Sequence, residues 1–306
     1  MMTADSKVWL ITGSSQGLGR TLLDVVLEKG ERAVATLRKP EALDSLKAKY
    51  PPSQLVVLPL DVTNKSQIDA VFEETKKCFG RLDVVVNNAG YGLSGEIETI
   101  PEDDARKQVE VLFWGPVWIC QRAIPFFRDA NPPGVGGHIL NITSVGGFIG
   151  NPGFAFYHAG KFALEGFTDS LSKEMLPEWN IKATIVEPGG FRTEWAKSSL
   201  ITIPSLPVYK QAHAPSELTR QLVDPQKFVG DPVKCGQALY KIGVKKDLPI
   251  RIQLGTDSLL MVRLASQKTA ENTTKAEVEE LAHSTNADGI DKAQVMAGLE
   301  HVWKNL

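Results

Sequence analysis

Seven short apolar runs constrain this chain more than any other feature of its sequence. They are Lys7–Thr12, Arg32–Leu37, Leu55–Leu60, Leu82–Val86, Gly137–Ile142, Lys182–Val186 and Leu248–Gln253, and Val and Ile dominate them. They lack the strict polar/apolar alternation of a strand with one wet face. Strands covered on both faces belong to parallel sheets. Between the runs lie segments with helical spacing: Gly19–Glu28, Ser66–Cys78, Asp103–Arg128 and Phe156–Leu176. Such repeated alternation predicts an α/β fold, a doubly wound, Rossmann-type, mostly parallel seven-stranded sheet with helices on both faces. No linker or internal repeat divides the chain, so a single domain over 1–306 is expected.

Two regions break the rhythm. Ser198–Val229 holds several prolines and no clear period, which reads as a substrate loop over about 194–230. The portion from about 256 to 306 reads as a peripheral extension, with an exposed helix over Glu271–His283 and a polar stretch around Ser284–Asp291. Composition narrows the function. With 42% hydrophobic and 23% charged residues, the 306-residue chain sits in the ordinary globular range. A net charge of −2 gives no global field for nucleic acid or an anionic membrane. The three cysteines, Cys78, Cys120 and Cys235, form no CxxC and argue against a disulfide framework or a zinc site. No metal is expected. The longest uncharged run of the apolar middle, Val111 to Gln121, has 11 residues, against about 20 for a membrane span. The first residues carry charge before any apolar stretch and lack the apolar core of a signal peptide. A soluble, cytoplasmic protein is expected.

The first run leads directly into Thr12-Gly13-Ser14-Ser15-Gln16-Gly17-Leu18-Gly19, followed by a helix. Glycines there permit close backbone approach, and the N–H groups and dipole of the helix favour a pyrophosphate. Turn chemistry alone also accounts for three glycines. The position after a strand and before a helix favours a dinucleotide. The second run ends in Thr36-Leu37-Arg38-Lys39, where an acid would serve the ribose hydroxyls of NAD. Arg38 suits a 2′-phosphate instead, so NADP(H) is the expected cofactor, although a solvated surface pair explains the same residues. Asp61 closes the third run, facing adenine or capping the helix near Ser66. Asn87-Asn88-Ala89-Gly90 closes the fourth, giving room for adenosine or making a plain turn.

Ser144 ends the fifth run, and Tyr157 and Lys161 stand one turn apart on one helix face. A phenol titrates near pH 10, and bringing it to about 7 needs about 4 kcal/mol. One cation at about 4 Å supplies about 4 kcal/mol at an effective dielectric of about 20. An ammonium is therefore large enough to acidify Tyr157, an oxidised nicotinamide would add to it, and Ser144 can hold a substrate oxygen beside the phenol. Taken alone, a Tyr-x-x-x-Lys pair is more simply a surface helix pair.

Taken together, TGSSQGLG, DVT at Asp61, NNAG at Asn87, Ser144 thirteen residues before YHAGK, and PGGFRT at Pro188 resemble the short-chain dehydrogenase/reductase family, the subfamily with TGxxxGxG and YxxxK. The resemblance runs from residue 7 to about 195. It implies that Gly13, Ser15, Gly17, Leu18 and Gly19 line the pyrophosphate and ribose, Asp61 and Val62 the adenine, and Asn88 and Gly90 the adjoining ribose. It further implies that Pro188, Phe191 and Thr193 place the nicotinamide, that Lys161 holds its ribose and tunes Tyr157, and that Tyr157 is the general acid or base. Ser144, Tyr157 and Lys161 are the expected catalytic residues. The family usually has an asparagine where Leu112 stands, three residues before Gly115.

The expected activity is hydride transfer between NADP(H) and the carbonyl or secondary alcohol of a medium-sized, largely apolar small molecule. The alternative is a cofactor-binding scaffold with a non-redox role, as a sensor or cyclisation catalyst, which Leu112 alone invites. Trp195, Leu200, Ile201, Ile203, Leu206 and Val208 make the loop apolar, with Trp114, Phe148 and Phe154 as further candidates for the pocket, or they simply pack the loop. The family forms dimers or tetramers through the helices around Asp103–Arg128 and Phe156–Leu176. Phe113, Trp114, Trp118, Phe126 and Phe127 suit that pairing and equally burial against the sheet, so a homo-oligomer stays open. Leu112→Asn is expected to change NADPH-dependent turnover of a reactive ketone less than Tyr157→Phe does, and turnover surviving Tyr157→Phe contradicts the assigned acid.

Overall fold

The computed structural model describes residues 6–245, 247–287 and 292–304. In chain order the elements are β1 (Val8–Thr12), α1 (Gly17–Glu28), β2 (Arg32–Leu37), α2 (Asp44–Lys49), β3 (Leu55–Pro59), α3 (Lys65–Phe79), β4 (Val84–Asn87), β5 (Gly92–Ser94), α4 (Glu102–Val109), α5 (Gly115–Pro125), β6 (Gly137–Ile142) and α6 (Ala155–Glu174). They continue with β7 (Ile181–Pro188), α7 (Trp195–Ser198), β8 (Leu200–Thr202), α8 (Pro215–Leu222), α9 (Pro232–Val244), β9 (Arg251–Leu254), α10 (Thr256–Thr273), α11 (Ala276–Ser284) and α12 (Lys292–Lys304). Seven of the strands form one sheet in the order β3-β2-β1-β4-β6-β7-β9, and each pair is parallel.

Burial explains why the strands read as continuous apolar runs. Along β1, Trp9 and Ile11 enter one core and Val8 and Leu10 the other. Leu22, Leu23 and Val26 of α1 and Leu239 and Ile242 of α9 complete the first core. Ile68, Val71 and Phe72 of α3, with Ile119, Cys120 and Ala123 of α5, complete the second. Each fully buried Leu, Ile or Val contributes about 1.5–3 kcal/mol relative to exposure. β1 pairs with β2 on one side and β4 on the other, with Ile11 opposite both Ala35 and Val86. The chain winds outward to β3 and returns on the far side of β1. That reversal opens a crevice at the carboxyl ends of β1 and β4.

The structure differs from the sequence expectation in three places. The predicted helix Asp103–Arg128 is α4 and α5 joined by a π-helical turn over Glu110–Trp114, with a second such turn at Phe126–Ala130. The loop expected over Ser198–Val229 contains β8, which pairs in parallel with β5, and α8. The helix expected over Glu271–His283 is broken between Thr273 and Ala276. Thr273 and Thr274 turn their hydroxyls onto the carbonyls of Ala270 and Glu271 at 2.9 and 3.0 Å, a local bond that competes with helix continuation. The polar stretch Ser284–Asp291 lies partly outside the described residues, which omit 288–291.

Two compact units divide the chain, Met1–Leu259 and Leu260–Leu306. The first holds the sheet and the crevice. The second consists of helices, with Leu260, Leu264 and Leu281 exposed. Among the described residues no helix is long and apolar enough to cross a membrane, and no group of His, Cys, Asp and Glu is placed to hold a metal ion.

His138 makes the first core of this unit acid-sensitive. It is buried on β6, with Nε2 2.9 Å from Thr184 Oγ1 and Nδ1 3.4 Å from the Gly243 carbonyl. Burial pushes its imidazole down from 6.5 to about 4. The unfolded chain therefore binds a proton near pH 6.5 that the native chain refuses until about pH 4. Unfolding free energy from denaturant titration is expected to fall between those values by up to about 3 kcal/mol. His138→Gln should flatten that slope.

Candidate active site

The crevice is a cavity of about 1080 Å³, bounded by the ends of β1, β2, β4, β6 and β7 and by the segment after β7. At its floor the two glycine-containing turns are stitched together. Thr12 Oγ1 accepts from the backbone N–H of Asn88 and of Ala89, both at 3.0 Å, and donates to the Val86 carbonyl at 3.2 Å. The Asn88 side-chain amide donates to the carbonyls of Thr12 and Gly13 at 3.0 and 3.2 Å. Gly13 and Gly17 have φ of +68° and +60°, backbone that favours glycine. Gln16, at the start of α1, makes no side-chain cap. The first N–H groups of α1 are thus left to meet whatever occupies the crevice.

Of the expected cofactor residues, Gly13, Ser15, Gly17, Leu18, Arg38, Asp61, Val62, Asn88, Gly90, Pro188, Phe191 and Thr193 all line this one cavity. Gly19 does not. A Cβ on Gly19 would lie 2.4 Å from Asn88 Nδ2 and 2.5 Å from the Gly13 carbonyl, so this glycine lets α1 close onto the stitched turns. The Asn88 amide is likewise committed to the turn. Asp61 does not cap α3; Asn64 does, accepting from the Gln67 N–H at 3.2 Å. Asp61 Oδ1 instead accepts from the backbone and hydroxyl of Thr63. Arg38 and Lys39 are exposed on the rim.

Ser144, Tyr157 and Lys161 meet at the other end of the cavity. Ser144 caps a short turn after β6, accepting from the Gly146 N–H at 3.0 Å, and its hydroxyl faces the Tyr157 phenol. Lys161 is buried, and its Nζ donates to the Ile142 carbonyl at 2.8 Å. Nζ lies 5.9 Å from the centre of the Tyr157 ring. Phe154, His158 and Trp195 frame that ring edge-on. Burial pushes the Tyr157 phenol above its usual value, and the Ser144 hydrogen bond opposes this. Burial pushes Lys161 down to about 8, and the Glu165 carboxylate opposes this. In the protein alone, desolvation thus outweighs the acidification of Tyr157 expected from its lysine.

Of the apolar residues expected around the substrate, Trp195, Ile201 and Phe154 line the cavity. Leu206 and Val208 are exposed, Ile203 packs with Leu93 and Ile100, and Trp114 stacks on Trp118. Val223 and Phe228 line the cavity although no sequence pattern singles them out. Leu112 is buried in the π-helical turn and also faces the cavity; its side chain fills the space a Cβ would need at Gly90 or Gly160.

A sequence model described as short chain dehydrogenase matches residues 7–202. The chain belongs to the short-chain dehydrogenase/reductase family. It is an oxidoreductase of that family, whose members bind a nicotinamide cofactor. An uncharacterized oxidoreductase of Schizosaccharomyces pombe is 37% identical over 289 residues, 94% of each protein. A 3-ketodihydrosphingosine reductase of Bacteroides thetaiotaomicron is 33% identical, over 86% of this chain and 92% of the relative. The crystal structure of a short-chain dehydrogenase from Streptomyces avermitilis superposes with a TM-score of 0.84 at 34% identity, covering 93% of this chain and 100% of that one.

Two residues that shape this dehydrogenase's crevice escaped sequence reasoning. Asp257, in the first turn of α10, accepts from the Gly190 N–H at 2.7 Å and so fixes the segment after β7. Glu96 is buried after β5 and accepts from Arg220 at 2.6 Å, Ser216 at 2.7 Å and Ser205 at 3.2 Å, holding α8 to the body. Both act across more than sixty residues of chain, and no local pattern marks them. The stitched turns give a test. Gly19→Ala should lower dinucleotide affinity by about tenfold or more, a loss of about 1.4 kcal/mol, together with the thermal midpoint. Gly150→Ala, whose Cβ meets nothing within 4 Å, should leave calorimetric binding and melting unchanged.

Proposed function

We propose that the protein is an NADP(H)-dependent carbonyl reductase or alcohol dehydrogenase for a medium-sized, largely apolar substrate. The observation that carries this reading is one continuous cavity with Arg38 on its rim at one end and Ser144 and Tyr157 beside buried Lys161 at the other. The turn residues Gly13, Ser15, Gly17 and Leu18 would hold the pyrophosphate, with Asp61, Val62, Asn88 and Gly90 around the adenosine. Pro188, Phe191 and Thr193 would orient the nicotinamide, and Lys161 its ribose. The uncapped start of α1 and the room left by glycines fit such a group. When bound, the dinucleotide supplies or accepts the hydride.

The chain's own residues do the rest. Ser144 donates a hydrogen bond to the substrate carbonyl oxygen and holds it at the Tyr157 hydroxyl. Tyr157 gives its proton to that oxygen in reduction and takes it back in oxidation. Lys161 stabilises the resulting phenolate by its charge. Trp195, Ile201 and Phe154 exclude water and favour an apolar substrate. Residues of 194–230 form the substrate loop of the Rossmann-type unit, Met1–Leu259. The Bacteroides relative named as a 3-ketodihydrosphingosine reductase supports a ketone substrate.

Steady-state kinetics with a panel of apolar ketones tests this. A charge-assisted hydrogen bond from Arg38 to a 2′-phosphate is worth about 1.5–3 kcal/mol, so kcat/KM for NADPH should exceed that for NADH by roughly ten- to a hundredfold. Arg38→Asp should erase or reverse the preference. Equal use of both cofactors by the unaltered enzyme refutes the role of Arg38, and no turnover with either refutes the reductase reading.

A further inference from the structure

Tyr157, Lys161 and Glu165 stand at i, i+4 and i+8 on α6, so their side chains share one face of the helix. Glu165 is buried, and every element packed against it brings either charge or backbone. From α6 comes Lys161, whose ammonium is coupled to it. From β7 comes the fully buried Glu187, and from β9 comes Arg251, which bonds Oε2 of Glu165 and reaches Glu187 at 3.5 Å. Gln253 satisfies Glu187 at 2.7 Å. From the turn after β6 comes Gly147, where a Cβ would lie 2.3 Å from Glu165 Oε1. That turn carries Ser144. The hydroxyl of Thr143 is near but gives its proton to the Val186 carbonyl at 2.9 Å, which leaves Oε1 buried without a donor.

A buried ammonium needs a counter-charge, since removing it from water costs several kcal/mol. Lys161 has one neutral acceptor, the Ile142 carbonyl, and the family asparagine that would stand near it is replaced by the apolar Leu112. We propose that Glu165 is a positioning residue for the acid–base pair: its carboxylate keeps Lys161 an ammonium beside Tyr157 and braces the turn that presents Ser144. Arg251 sets how much of that charge Glu165 carries, because two buried carboxylates share its single guanidinium. Burial and the proximity of Glu187 push the Glu165 carboxyl up to about 7, so the counter-charge develops near neutrality, where Lys161 still holds its proton. This inference rests on the reading of Lys161 as the partner of Tyr157, but its main test does not use turnover.

The test is a titration of Lys161 by NMR in protein labelled with [13Cε]lysine, without cofactor, the resonance being the one lost in Lys161→Met. Glu165→Gln keeps the shape of the side chain and removes its charge. It should lower the Lys161 midpoint by about one pH unit or more, and Glu165→Asp should restore most of that shift. In the unaltered protein the same resonance should show a second, smaller inflection on the acid side as Glu165 titrates, a check that needs no variant to fold. A Lys161 midpoint unmoved in folded Glu165→Gln, or a single inflection in the unaltered protein, overturns the proposal. In steady state, Glu165→Gln should lower kcat for ketone reduction about tenfold above pH 8 and leave the KM for NADPH within about twofold, since one pH unit is a factor of ten. A brace without electrostatic effect would lower the melting midpoint and leave the pH profile where it was. Absence of turnover in the unaltered enzyme would refute the reductase reading, while the NMR titration would still decide the role of Glu165.

Discussion

The hydroxyl of Thr12 ties the two halves of this protein together where the chain changes direction. It takes N–H groups from the turn after β4 and returns a bond to β4 itself, while Asn88 reciprocates onto the turn after β1. Parallel sheets leave the ends of neighbouring strands to diverge into separate crossovers. At β1 and β4 the crossovers run to opposite sides, and without a tie the gap would widen into solvent. Five short polar contacts hold it at a fixed width. Gly19 lets the first helix sit down on them, and the N–H groups at its start acquire a fixed direction.

The far end of the crevice works on a different balance. Tyr157, Lys161, Glu165, Glu187 and Arg251 run in a line from the cavity toward β9, and burial penalises the charge on Tyr157, Lys161 and Glu165. The Glu165 carboxylate offsets that penalty at Lys161 and Arg251 offsets it at Glu165, while Glu187 adds to it, so the protonation of one depends on the next. Arg251, about one-third exposed, closes the line at its outer end.

Much of this was legible in the residues. The seven strands of the main sheet announce themselves because each is apolar on both faces, and β2 and β6 match their runs end for end. The glycine turn and the Ser-Tyr-Lys trio were visible because their spacing is local or nearly so. What the sequence hid depends on long-range pairing. β5 and β8 are three residues each and acquire strand geometry only from one another, across about a hundred residues of chain. Asp257 and Glu96 look like ordinary surface acids until the fold sets the one against distant backbone and buries the other against a distant arginine. Gly19 was assigned to cofactor contact, and its neighbours show instead a packing constraint. The expected helix at Glu271–His283 failed because threonine hydroxyls compete with the helical bonds, an effect that hydrophobic spacing does not register.

The little ribbon of β5 and β8 has a consequence for how this enzyme changes over time. Its pairing joins Gly92 to Leu200 and Ser94 to Thr202 through main-chain groups, which every amino acid carries. The root of the segment over the crevice is therefore anchored by chemistry that mutation of side chains leaves intact. Beyond the root, the residues of that segment that line the cavity are free to vary in size and polarity while the floor beneath them stays the same. A lineage built this way can explore new substrates without rebuilding the machinery that carries the electrons.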